Sequence, residues 1–323
     1  MKFDLGAILN LPELPKHMTE IQLALEQAIY CENTHIHEPA IRLARAPSKR
    51  LRSALVLAIT DKVDKNVISA CVSIELIHLA SLVHDDIMDG ASSRWGVKTV
   101  HEKEGLNRAI LVGDYLFAKA NQVAASVSLE AAELVATTII ALCDGQAREL
   151  EDVGNVDRTI EAYLEAIEGK TGSLIAAACE IGGLCAGLDK PKLKALHNFG
   201  EAFGMSFQLI DDVLDFTSSP ELLGKPTGND VIEGVYTMPV ILGLKGPNRK
   251  QLLSHLQNAT KSQFVGTDLL KGDGSIAKTI EAAKKYNQHA AEFIKDFASK
   301  QLQSAPTAYT EWALKQLVSK TNV

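Results

Sequence analysis

Proline is absent from residues 48 to 190, although Pro12, Pro15, Pro39 and Pro47 crowd the start of the chain. Proline breaks helix interiors by removing a backbone donor and clashing with the preceding turn, so this gap permits long helices. A Cys-x-x-Cys pair is also missing. Cys31, Cys71, Cys143, Cys179 and Cys185 are scattered through apolar stretches. That odd, unpaired set argues against a disulfide framework or a zinc ribbon and for reduced thiols in a reducing compartment. There is no basic excess: the net charge is -7, which argues against nucleic acid as the main partner. The N-terminus MKFDLGAILNLPELPK lacks the apolar core of a secretion signal. No uncharged stretch reaches the roughly 18 residues that cross a bilayer. A soluble, cytoplasmic protein is expected. Strand-type alternation bounded by turns is absent as well.

Hydrophobic residues make up 46% of the 323 residues, enough to bury a sizeable core. SALVLAIT, ISACVSIELIHLASLVHDD, RAILVGDYLFAKANQVAASV and LEAAELVATTIIALCDGQARELE all read as helices, several of them apolar on most sides. Such helices belong in the middle of a bundle. Loops are expected at GASSRWG, DVGNVDR and TSSPELLGKPTGND. From residue 275 the tail reads as two more amphipathic helices, the last beginning at Pro306. No linker separates a second domain, so residues 1–323 are read as one all-α domain, a bundle of long helices around a central apolar cavity.

Two copies of one acidic pattern stand out. Asp85-Asp86-Ile87-Met88-Asp89 and Asp211-Asp212-Val213-Leu214-Asp215 both read Asp-Asp-x-x-Asp, each after a long apolar run and before a polar loop. On a helix, i and i+4 share a face, so Asp85 sits beside Asp89 and Asp211 beside Asp215. Carboxylates that close repel each other unless a cation neutralises them. Paired hard oxygens are what Mg²⁺ takes while it also holds substrate phosphates. Asp86 and Asp212 point off the shared face and contribute less directly. The pattern suggests a metal-bridged diphosphate at the mouth of an apolar cavity.

With KTGSLIAAACEIGG (170–183), FQLIDDVLDF (207–216) and GKPTGNDVIEGVYTMP (224–239), the two acidic clusters make the chain resemble the trans-isoprenyl diphosphate synthases, from about Arg42 to about Leu244. The resemblance implies the isoprenoid synthase type of all-α fold, Mg²⁺ as cofactor, and two substrates, isopentenyl diphosphate and an allylic diphosphate. In the implied reaction the allylic diphosphate ionises and the double bond of isopentenyl diphosphate attacks the cation. By motif match, Asp85, Asp86, Asp89, Asp211, Asp212 and Asp215 would bind the metal ions. Arg94, Lys170 and Lys225 would contact the allylic diphosphate. Lys170, Thr171 and Gln208 would act at the reacting centre, Thr171 and Gln208 by steadying the cation. Lys49, Arg52 and His78 would hold isopentenyl diphosphate, and His84 would hydrogen-bond the metal shell. The chain departs from the family pattern at Arg94-Trp95, usually two arginines, at Pro47-Ser48, usually two glycines, and at Val235, commonly lysine. The acceptor half is therefore expected to be thinned.

The product tail must run beside the helix that ends at Asp85. Ala80 and Ser81, where short-chain relatives carry an aromatic, are small and leave the path open. Ile77, Ile74, Phe117 and Asn121 are candidates for its floor, which points to products beyond fifteen carbons. A terpene cyclase is the rival on the same fold, but aromatic residues are only 5% and a cyclase needs no basic acceptor site. A non-catalytic subunit of a heteromeric synthase is a third reading, opposed by two intact clusters. The resemblance also implies a homodimer through mid-chain helices.

Overall fold

The computed structural model describes residues 5–48, 50–94, 96–218, 227–259 and 264–318. Lys49, Trp95 and Lys225 lie outside the described residues. Helices run in the order α1 (Leu5–Leu9), α2 (Leu14–Ile29), α3 (Thr34–Ala44), α4 (Leu51–Ile59), α5 (Lys65–Met88), α6 (Val100–Glu104), α7 (Leu106–Ala125), α8 (Leu129–Glu151), α9 (Ile160–Ile167), α10 (Ser173–Cys185) and α11 (Lys190–Thr217). Shorter helices follow, and two long ones, Ser275–Ile294 and Lys300–Val318, close the chain. The long central helices fall where the proline-free stretch allows them.

The start of α5 is fixed by Asp64, whose carboxylate accepts from the backbone N–H groups of Asn66 and Val67. Ser128, Thr159 and Asp189 cap α8, α9 and α11 in the same way. Each satisfies a donor that the first helical turn leaves unpaired. Helix α5 is buried along almost its whole length and packs on α7, α2, α4 and α10. By length and composition it could cross a membrane, but 72% of its most apolar window is buried inside the bundle. A helix that is apolar all round belongs in such a core. A smaller apolar cluster is built around Val213, Phe216, Val240 and Leu270.

Three features differ from the sequence reading. Ser93–Arg94 and Val97–Lys98 pair as a two-residue antiparallel ribbon, β1 and β2, where only a loop was expected. Gly96 takes φ +80 in its turn, a conformation only glycine adopts freely. The last helix starts at Lys300 and runs through Pro306. Leu302, Ala305, Tyr309 and Ala313 are buried on one face of it, so apolar packing continues across the proline and outweighs one missing backbone bond. Pro39 likewise sits buried inside α3 instead of ending it.

Candidate active site

Helices α5 and α11 both end at one side of the bundle, and each delivers an acidic cluster there. Asp89 is the C-terminal cap of α5 and is exposed; Asp85, one turn back, is half-buried. On α11, Asp211 is exposed, whereas Asp212 and Asp215 are buried. Burial sets the electrostatics. Asp85 is pushed up from 3.8 to about 6, by burial first, with Lys170 and Arg94 opposing and Asp89 adding to the rise. Asp86 is raised as well, again by burial first; Asp89, although its residue as a whole is exposed, is raised by the protein packed round its carboxyl, with Lys170 opposing.

The middle acids face inward to partners. Asp86 accepts from the Nε–H of Arg94 at 2.7 Å. Arg94 therefore reaches the first cluster from β1, held by the one carboxylate of that cluster that leaves the i/i+4 face. Asp212 accepts from the Tyr163 hydroxyl and, at 2.8 Å, from Gln208 Nε2. Burial drives the Asp212 carboxyl well above its usual range. Gln208 Oε1 in turn accepts from the Thr171 hydroxyl at 2.8 Å. Asp215 accepts from the Asp230 N–H at 3.4 Å and its carbonyl accepts from the Gly228 N–H at 2.9 Å, which ties the start of the next described segment to the second cluster.

Lys170 and Thr171 lie in a π-helical turn, Glu168–Gly172, between α9 and α10. The extra residue in such a turn re-aims side chains at functional positions. Bare glycines on both sides clamp it. A Cβ on Gly145 of α8 would lie 2.5 Å from the Lys170 nitrogen, and one on Gly204 of α11 would lie 2.6 Å from Gly172 Cα. Lys170 Nζ donates to Glu149 Oε1 at 2.5 Å. Burial alone would lower the lysine, but Glu149 and Asp85 outweigh it and hold the ammonium above its ordinary value.

A second cluster lies on the N-terminal side. Arg50 donates to Glu75 at 2.7 Å, to Gln22 at 2.8 Å and to the Ala44 carbonyl at 2.9 Å. The neighbouring Arg52 is different: its buried Nε has no hydrogen-bond partner among the described residues. Burial pushes its guanidinium down, with Glu75 opposing. His78 is pushed well below its ordinary value by burial and then by Arg52, Arg94 and Arg50. Glu75 matches Arg50 and Asp86 matches Arg94, so Arg52, with its Nε unbonded among the described residues and the His78 imidazole nearby, is the cation left to meet an anion.

Along the expected tail path, Ala80, Ile77 and Ile74 are fully buried and Ser81 is half-buried, its hydroxyl donating to the His78 carbonyl at 3.0 Å. Phe117 is half-buried with its ring 5.7 Å from that of His84. That places it beside His84 on the side of α5 that packs on α7. Asn121 Nδ2 donates to the Phe117 carbonyl at 3.4 Å. His84 turns away from the metal side: a Cβ on Gly113 of α7 would fall 2.1 Å from its Nε2, so the ring packs on α7 instead of lining the carboxylates.

Three residues at this site escaped the sequence reading. Glu149 holds Lys170 from α8. Asp230 lies close enough to both clusters to raise Asp89 and Asp212. Tyr163 holds Asp212. Among the described residues no three acidic, histidine or cysteine side chains converge to hold a metal on their own. Pairs of hard oxygens that need substrate oxygens to complete the shell fit Mg²⁺-type binding, in which one or two carboxylates act with phosphates.

Most of the chain matches known proteins. A family model described as polyprenyl synthetase matches residues 33–271. The chain belongs to the polyprenyl synthetase family. It is therefore a prenyltransferase with an all-α fold. It is 38% identical to heptaprenyl diphosphate synthase component 2 of Geobacillus stearothermophilus over 245 residues, 75% of this chain and 77% of that protein. It is 35% identical to the nonaprenyl diphosphate synthase of Mycobacterium tuberculosis, over 73% of each. A solved polyprenyl synthase from Caulobacter crescentus CB15, complexed with calcium and isoprenyl diphosphate, superposes with a TM-score of 0.86, covers 97% of this chain and 98% of that one, and is 28% identical.

The Asp85 shift has a measurable consequence. The unfolded group titrates near 3.8 and the folded one near 6, so the folded state binds the proton more tightly. Stability from this group is full below pH 3.8 and is lost as pH rises through about 6. The melting temperature of the metal-free protein in chelator is expected to carry that fall, and Asp85→Asn to flatten it. An unchanged profile in the variant would refute the assignment.

Proposed function

We propose that this prenyltransferase joins isopentenyl diphosphate to an allylic diphosphate head to tail, with Mg²⁺, and releases a product longer than fifteen carbons. The observation that carries the reading is Lys170 facing the first carboxylate cluster, with Asp230 close to both clusters and, on the acceptor side, an Arg52 Nε that has no hydrogen-bond partner among the described residues. Asp85, Asp89, Asp211 and Asp215, with Glu149 nearby, are the residues that would hold divalent cations. Bound there, the cations would neutralise the charge that develops on the leaving diphosphate. The chain's own groups do the rest. Arg94, fixed by Asp86, and Lys170, fixed by Glu149, supply cationic donors to the allylic diphosphate. Thr171 and Gln208 present oxygen dipoles to the allylic carbon as it loses the leaving group. Arg52 and neutral His78 bind the acceptor diphosphate and hold its double bond in reach. The apolar walls of α5 and α7 keep water from the cation.

The length reading rests on small, buried Ala80 beside Ser81 and on relatives named for heptaprenyl and nonaprenyl products. The test is the purified protein with Mg²⁺, labelled isopentenyl diphosphate and primers of five, ten, fifteen and twenty carbons. Linear products beyond fifteen carbons support the reading. No incorporation from any primer by the folded protein sinks it.

The same reading makes the enzyme a homodimer through α8. Leu129, Glu133, Ala136, Ile140, Cys143, Ala147 and Leu150 recur at alternating spacings of four and three, and all are exposed. Leu129 and Ile140 are 71% and 69% exposed, more than an isolated helix face usually leaves to water. Such a seam fits a second helix of the same kind. The name of the Geobacillus relative marks it as one component of a two-component enzyme, so a different partner is the competing occupant. Sedimentation of the wild type at micromolar concentration should give a dimer and Ile140→Glu a monomer. A monomeric wild type would favour the foreign partner.

A further inference from the structure

We propose that Tyr163 is a positioning residue which, by holding Asp212, fixes the direction of a hydrogen-bond chain that makes Thr171 turn its oxygen lone pairs toward the reacting carbon. The inference rests on the prenyltransferase reading above and adds a residue to it.

The chain has four members. Tyr163 donates to Asp212 Oδ2, and Gln208 Nε2 donates to Asp212 Oδ1 at 2.8 Å. Both carboxylate oxygens of Asp212 are thus engaged by protein donors, and the residue is 1% exposed. A side-chain amide has one donor end and one acceptor end. With its nitrogen committed to Asp212, Gln208 can offer only Oε1 to Thr171. A hydroxyl has a single hydrogen, and Thr171 uses it on that oxygen at 2.8 Å. The lone pairs of Thr171 remain for the side away from Gln208, where a developing cation would be stabilised by them. Were the amide reversed, Thr171 would accept from Gln208 and present its hydrogen instead, which opposes positive charge.

Asp212 can dictate this direction only if it stays in place, and Tyr163 is built to keep it there. Its ring is 1% exposed and packed in the main core. The guanidinium of Arg158 lies over the ring at 5.4 Å from its centroid. Arg158 is itself buried, donates to the Tyr236 carbonyl at 3.2 Å and pairs with Asp152 at 3.2 Å. The phenol is therefore braced from the loop that follows α8, remote from the substrate.

The test is a double-mutant cycle on turnover with Tyr163→Phe and Thr171→Val. Tyr163→Phe should lower kcat by about 10²-fold, the scale of a small misplacement of a reacting group, with KM for both diphosphates changed less than about twofold. Adding Thr171→Val should then cost little more, because both act through one chain. Thr171→Ser keeps a hydroxyl and should restore most of the rate lost in Thr171→Val. Calorimetric titration with Mg²⁺ should give the same binding for Tyr163→Phe as for the wild type. Multiplying effects, an unchanged kcat in Tyr163→Phe or altered Mg²⁺ binding would each overturn the proposal. Should Tyr163→Phe fail to fold, the shape-matched Asp212→Asn takes its place in the same cycle. A crystal structure of the variant gives a readout independent of elongation. Loss of the Thr171–Gln208 contact is expected, and its retention overturns the proposal even if the wild type elongates no primer.

Discussion

Replacing Asp85 or Asp211 by alanine is expected to lower kcat by about 10³-fold, and Asp85→Ala is expected to melt higher than the wild type in the absence of metal. The rate loss follows from the leaving group. A diphosphate leaves only if its growing charge is neutralised, and a divalent ion in that role is worth several kcal/mol, about 4 kcal/mol for a factor of 10³. Asp85 and Asp89 offer one oxygen pair from α5, and Asp211 and Asp215 another from α11, so loss of one member breaks a pair. The gain in stability has the opposite origin. At neutral pH, Asp85 is an ionised group raised to about 6 by burial and by Asp89, so its charge opposes folding when no cation is present. Functional sites commonly keep such unfavourable charge because the ligand resolves it. The checks are steady-state kinetics in saturating Mg²⁺ and thermal melts in chelator at pH 7. A variant that retains turnover, or an Asp85→Ala protein that melts lower, would contradict the account.

The parts of this molecule that were legible in the sequence are those written in local periodicity. The absence of proline between residues 48 and 190 and the continuous apolar runs announced α4, α5, α7 and α8. Two acidic clusters after apolar runs fall, as expected, near the C-terminal ends of α5 and α11. Helical geometry set Asp86 and Asp212 off the i, i+4 faces, and the structure gives each a protein partner, Arg94 for one and Tyr163 with Gln208 for the other. What the sequence hid depends on contacts between distant elements. Glu149 sits in the acidic run at the end of α8, where its neighbours look alike; only the fold sets it against Lys170, 21 positions on. Asp230 lies within the 224–239 motif, but only the fold brings it near both acidic clusters. Tyr163 looks like any core aromatic until α9 packs on α11. The ribbon at Ser93–Arg94 is too short to show alternation.

Glu75→Ala should be the most damaging substitution far from the carboxylates, lowering stability by about 3–5 kcal/mol and the melting temperature by about 5–10 °C. Glu75 is 1% exposed in the middle of α5, and it accepts from Arg50 at 2.7 Å and from the Ser53 hydroxyl at 2.7 Å. Removing it leaves a buried guanidinium without its counter-charge, which costs far more than the net worth of the pair. A second effect reaches the site. Arg50 caps α4 in the left-handed region, φ 50 and ψ 39, which costs a residue other than glycine about 1–3 kcal/mol and persists only when its surroundings hold it. Glu75, Gln22 and the Ala44 carbonyl are what hold it. With Glu75 gone, the first turn of α4 is free to relax, and Arg52, two residues on, moves with it away from His78. The expected kinetic signature is therefore selective. KM for isopentenyl diphosphate rises by about tenfold or more, the scale of one lost charge-assisted contact, while KM for the allylic primer changes little. Glu75→Gln keeps the volume and two polar atoms, so it should lie between wild type and alanine on both scales. Equal rises in both KM values would place the damage in the whole bundle and not in the turn that carries Arg52.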